Sequence, residues 1–79
     1  MQVYTAHRVD VEHPGVLELM GIHDKRAGAV MAVLTEAWKI PGGEEGVKGV
    51  RLGNGRTMFE YKADSWIVDS HELQTDPHG

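Results

Sequence analysis

The chain contains no cysteine, so neither a disulfide nor a thiolate metal site can brace it. It has only one phenylalanine, two tryptophans and two tyrosines, so few large rings are available to fill a core. No apolar run approaches the length of a membrane span; the longest, residues 27–34, is far too short. The first ten residues, MQVYTAHRVD, alternate and carry charge where a secretory leader would be apolar. There is no basic excess either. Eight lysines and arginines against twelve acids give a net charge of −4, which counts against a protein that coats nucleic acid. These absences predict a cytoplasmic protein without a membrane segment. In 79 residues there is room for one domain with a small core, for which a homodimer or a partner would supply further burial.

What is present predicts an α+β domain over residues 1–73, with a polar, frayed tail at 74–79. Residues 2–11 read as a strand. Val3, Thr5, His7, Val9 and Val11 share one face, and Gln2, Tyr4, Ala6, Arg8 and Asp10 the other. The EHPG sequence at 12–15 then breaks it. Residues 14–20 fit a short helix or an extended segment, with the helix slightly favoured because Pro14 and Gly21 suit its two ends.

The main helix is expected over about 24–40, with Asp24 as N-cap. Ala27, Val30, Met31, Leu34, Ala37 and Trp38 form its apolar stripe, and Lys25, Ala29, Ala32, Glu36 and Lys39 its outer face. Pro41, Gly42 and Gly43 stop it, and residues 41–46 read as a flexible connector.

Residues 47–73 carry the strongest local signal, a hairpin or meander. Asn54 and Gly55 suit a two-residue type I′ turn because both tolerate positive φ. That turn would pair Leu52 with Thr57 and Val50 with Phe59, placing Val50, Leu52, Phe59 and Tyr61 on one apolar face. A second turn at Ala63 and Asp64 would bring Trp66 opposite Tyr61 and Val68 opposite Phe59. The expected fold is therefore an antiparallel sheet of three to four strands with one helix on a single face.

No complete chemical motif accompanies this fold. The five histidines show no zinc-ligand spacing, so no metal is expected. No nucleophile elbow or phosphate-binding glycine loop occurs. Asp69 and His71 share a strand face, with Arg56 expected opposite His71, which suits a solvated cluster better than an acid–base pair. No catalytic residue and no cofactor is expected, and the chain reads as a non-enzyme.

Two groups of residues exceed what folding needs. Lys25 and Arg26 stand in the first helical turn, where the macrodipole favours acids. Arg51, Arg56 and Met58 stand on the hairpin's outer face, a composition suited to protein docking. Residues 16–31, VLELMGIHDKRAGAVM, resemble a helix-turn-helix, and residues 25–58 are broadly similar to the second half of a winged helix. That resemblance implies DNA binding. It departs from the pattern in its leading strand, its alanine-rich second helix and its acidity. The preferred expectation is a small interaction protein that binds another protein, of the inhibitor or regulator type found in phages and mobile elements. A winged-helix-like DNA-binding regulator is the alternative.

Overall fold

The computed structural model describes residues 1–10, 12–13 and 15–72. Val11, Pro14 and the tail expected to fray at 74–79 lie outside the described residues.

Five strands form one antiparallel sheet in the order β2-β1-β5-β4-β3. They are β1 (Gln2–Val9), β2 (Leu17–His23), β3 (Lys48–Gly53), β4 (Arg56–Tyr61) and β5 (Asp64–Glu72). Helix α1 (Arg26–Trp38) joins β2 to the second half, and a single helical turn, α2 (Gly43–Gly46), leads into β3. The sheet thus has one strand more than the upper expectation. The addition is β2, because residues 17–23 are extended and not helical. The apolar and polar residues of Leu17-Glu18-Leu19-Met20 fit either period, and antiparallel pairing with β1 decides between them. The helix-turn-helix resemblance fails at the same place: residues 16–31 are strand then helix.

The connector also differs from expectation. Residues 43–46 close a helical turn through Gly46 N–H to Gly42 O (2.9 Å) and Val47 N–H to Gly43 O (3.0 Å). Gly43 is buried there, and a Cβ on it would collide with the Ala37 carbonyl.

The core is small: Ala6, Ala29, Val33, Ala37, Trp66 and Val68 are fully buried. Trp66 is its largest member, and the helix meets it with a face of alanines and Val33. The predicted stripe holds at Ala37, which is buried, and at Val30, which packs against the core, and fails at three other positions. Ala27, Met31 and Trp38 are exposed, while Ala29 is buried and Glu36 half-buried. Small side chains face the sheet because Trp66, Phe59 and Tyr4 supply the bulk from the sheet side. Glu36 is drawn to that side by its partners. Its carboxylate accepts from Trp66 Nε1 (3.4 Å) and pairs with Arg8 (3.2 Å), which also reaches Asp64 (3.6 Å). The helix starts one residue later than expected: Lys25 is the N-cap, and no side chain, Asp24 included, caps it.

The Asn54-Gly55 turn forms as expected, with φ of 52° and 77°. The register beyond it does not. Gly53 pairs with Arg56, but the next pair is Arg51 with Thr57, so Leu52 is an extra residue at a bulge. Gly53 takes a φ of 83°, which a glycine enters without the Cβ penalty and which carries the slip. One residue of slip reverses every following side chain. Val50 therefore opposes Met58 and is 44% exposed, while Gly49 opposes Phe59. The ring of Phe59 lies against Gly49 and that of Tyr61 against Gly46, so aromatic rings cover glycines and not the expected valine and leucine. The second turn is at Lys62 and Ala63, which sets Phe59 opposite Trp66 and Thr57 opposite Val68. This is two residues from the expected pairing. Phe59, Tyr61, Trp66 and Val68 still share the helix side, as the alternation predicted.

Candidate functional site

Helix α1 covers one side of the sheet, and the other is open. Alternation from Ala6, Trp66 and Phe59 assigns each side chain to its side. Thr5, His7, Met58, Ile67, Asp69 and His71 lie on the open side, as do Leu17, Leu19 and Ile22 from β2. The β1 face that carries Val3, Thr5, His7 and Val9 is thus the uncovered one, and Ala6 on the other face supplies the core contact.

A polar chain crosses this open side. Arg56 Nε donates to Asp69 Oδ2 (2.9 Å), directly across from it. Asp69 Oδ2 stands 4.0 Å from His71 Nε2. His71 Nε2 is 3.0 Å from Thr5 Oγ1, which is 2.9 Å from His7 Nε2. Arg56 was expected opposite His71; the shifted second turn places it opposite Asp69. Thr5 and His7 join because β1 pairs with β5, a contact between chain ends that local pattern does not show. Their shared period-two face was the available signal.

The hydroxyl of Thr5 has one proton for two imidazoles. His7 Nδ1 is buried and has no partner among the described residues. An unpaired N–H there would cost more than an unpaired lone pair, since the donor would be stripped of water. The favoured tautomer puts the His7 proton on Nε2, donating to Thr5 Oγ1. Burial depresses the His7 imidazole pKa most; Asp69 opposes this, and His71 and Arg56 add to it, leaving the pKa lowered. For Asp69, burial pushes the carboxyl up. Hydrogen bonds from Arg56 and the Ser70 N–H, with the charges of Arg56 and His71, outweigh it and leave the pKa below the ordinary range.

Threonine, histidine and aspartate are the residue types of a nucleophile, its base and an orienting acid, but the geometry differs. In a working triad the carboxylate holds the imidazole nitrogen remote from the nucleophile. Here Asp69 and Thr5 both approach Nε2 of His71. Among the described residues no group of three or more histidine, cysteine or acidic side chains is arranged to hold a metal ion.

The residues singled out for binding fall in two places. Arg56 and Met58 lie on the open side as expected. Arg51 does not, because the bulge turns it to the helix side opposite Thr57. Arg26 is tied to the hairpin: its guanidinium donates to Gly55 O (2.8 Å) and Thr57 Oγ1 (3.1 Å) and stacks on Tyr4 at 5.7 Å. Arg26, Arg51 and Arg56 nevertheless line one open depression of about 450 Å³ around Gly53, Gly55 and Thr57. Lys25 is exposed at the helix cap beside them in sequence. Ala29, expected on the outer face of the helix, is buried.

No family model, curated protein or solved structure matches the chain. No helix among the described residues is long and apolar enough to cross a membrane.

Proposed function

We propose that this chain is a non-catalytic interaction protein that binds another protein through the open side of its sheet. One observation carries the reading. An antiparallel sheet with a solvated face ordinarily alternates apolar-in and polar-out. Here the outward positions are apolar as well. Leu17, Leu19, Ile22 and Val50 are 40%, 53%, 64% and 44% exposed, and Met58 and Ile67 are half-buried beside the polar chain.

Area and composition support a protein occupant. Five strands at ~4.8 Å and five or six residues at ~3.3 Å give a flat footprint on the order of 400–500 Å². Side-chain relief raises the accessible area toward the ~800 Å² per partner of a standard interface. An apolar field around a paired Arg56 and Asp69, with Lys48 and Glu60 at its edge, has the make-up of such an interface. A nucleic acid would meet carboxylates on this side and a net charge of −4. The partner is therefore a protein with a complementary apolar surface, which fits an inhibitor or regulatory role.

The test compares three immobilised proteins in native extract by quantitative mass spectrometry: the parent, Leu19→Ser with Ile22→Ser, and Met31→Ser on the outer surface of the helix. All three should fold, since exposed substitutions cost about 0.5 kcal/mol or less each. A partner kept by the parent and by Met31→Ser, but lost at least about tenfold by the sheet variant, supports the reading. A partner held equally by all three refutes it. Concentration-dependent self-association abolished by the sheet variant would identify the occupant as a second copy and refute the choice of a different protein.

A further inference from the structure

We propose that the depression at the tip of the β3–β4 hairpin is a second, electrostatic subsite that takes the carboxylates of an acidic segment of the protein partner. The inference rests on the reading of the chain as a protein-binding module and adds the chemistry of a site off the sheet face.

Three of the chain's four arginines converge there, although they come from separate elements: Arg26 from the helix start, Arg51 from β3 and Arg56 from β4. Their charge is only partly answered. Arg56 is paired with Asp69, Arg26 spends its donors on a carbonyl and a hydroxyl, and Arg51 has no ion pair or hydrogen bond among the described residues. The three arginines with Asp69 sum to +2, which leaves −6 on the rest of a chain of net −4. Arg26 and Arg56 serve the fold through these contacts, whereas the charge of Arg51 is left over from folding.

The site is also shaped for a planar anion. The Arg26 guanidinium is immobilised by two hydrogen bonds and the Tyr4 ring, so it would present a fixed positive wall with little further loss of side-chain freedom. Arg51 stands free to close as a two-pronged clamp on a carboxylate. Gly53 and Gly55 line the floor without side chains; an added Cβ would enter open space at Gly53 and would collide with Ser70 at Gly55. An extended nucleic-acid backbone is disfavoured, because it would leave this island onto acidic surface within a few phosphates. A short run of aspartate or glutamate ends where the island ends.

Titration of the isotope-labelled protein by NMR tests this directly, with an end-blocked tetraglutamate peptide and with inorganic phosphate in separate arms. Tetraglutamate is expected to shift the amides of Gly53, Gly55 and Thr57 and the Arg51 side chain saturably, with affinity falling as salt is raised. Arg51→Ser should keep the remaining spectrum and weaken the binding about tenfold. Leu19→Ser with Ile22→Ser should leave this titration unchanged, which separates the subsite from the sheet face. Absence of saturable shifts at millimolar tetraglutamate, or equal binding by Arg51→Ser, overturns the proposal. Saturation by phosphate without tetraglutamate overturns it too and reassigns the site to phosphoryl groups.

Discussion

Trp66→Ala is the perturbation that the packing predicts most sharply. The side chain is fully buried near the start of β5, between Arg8 on β1 and Phe59 on β4, under Ala29, Val33 and Ala37. Its neighbours across the layer are two alanines and a valine, too short to collapse into the space it leaves. Replacing a buried Trp by Ala costs about 3–5 kcal/mol when the site cannot close. Domains of this size hold only about 4–12 kcal/mol in total. The indole also supports Glu36 through Nε1, and its loss leaves Arg8 to hold that carboxylate alone with Asp64 near. Trp66→Phe should recover most of the packing and cost roughly 1–2 kcal/mol. Urea unfolding followed by far-ultraviolet circular dichroism measures both, without relying on fluorescence from the exposed Trp38. A loss below about 1 kcal/mol for Trp66→Ala, with a native spectrum, would refute the placement of Trp66 at the centre of the core.

Other consequences follow from the same contacts. Ala29→Leu should destabilise by about 1–3 kcal/mol through overpacking, whereas Met31→Ser should change stability by about 0.5 kcal/mol or less; the reverse order in urea titrations would restore the stripe read from the sequence. Arg26→Ala should cost about 1–2 kcal/mol and loosen the hairpin turn, seen as faster amide exchange at residues 55–57, with the sheet's inner strands unaffected. A depressed pKa in the folded state means that the unfolded chain binds the proton more readily, so stability is lost as pH falls through the group's range. His7 should therefore withdraw stability below about pH 6.5 and Asp69 below about pH 4. His7→Phe should remove the first of these two phases in urea midpoints measured across pH, and an unchanged profile would contradict the assignment.

Much of this molecule was legible from local pattern, and the failures share a cause. The Asn54-Gly55 turn, the helix and the common face of Phe59, Tyr61, Trp66 and Val68 all rest on contacts between near neighbours in the chain. The register of β3 was not legible, because Gly53 absorbs one extra residue and glycines at 46 and 49 accept the aromatic rings. The state of β2 was not legible either, since its pairing with β1 decides between two periods that the sequence satisfies equally. The helix face was misread because its alanines look inert until Trp66 arrives from across the layer. At the open side, Arg56, Asp69 and His71 could be placed together from strand alternation, but Thr5 and His7 reach them only through the pairing of β1 with β5.

A sheet with one covered face and one apolar open face is tested most directly by paramagnetic relaxation of methyl groups with a soluble gadolinium chelate. In dilute protein the methyls of Leu17, Leu19 and Ile22 should relax strongly, while those of Ala29, Val33, Ala37 and Val68 stay protected. Protection of Leu19 and Ile22 together with strong relaxation of Ala29 and Ala37 would contradict it.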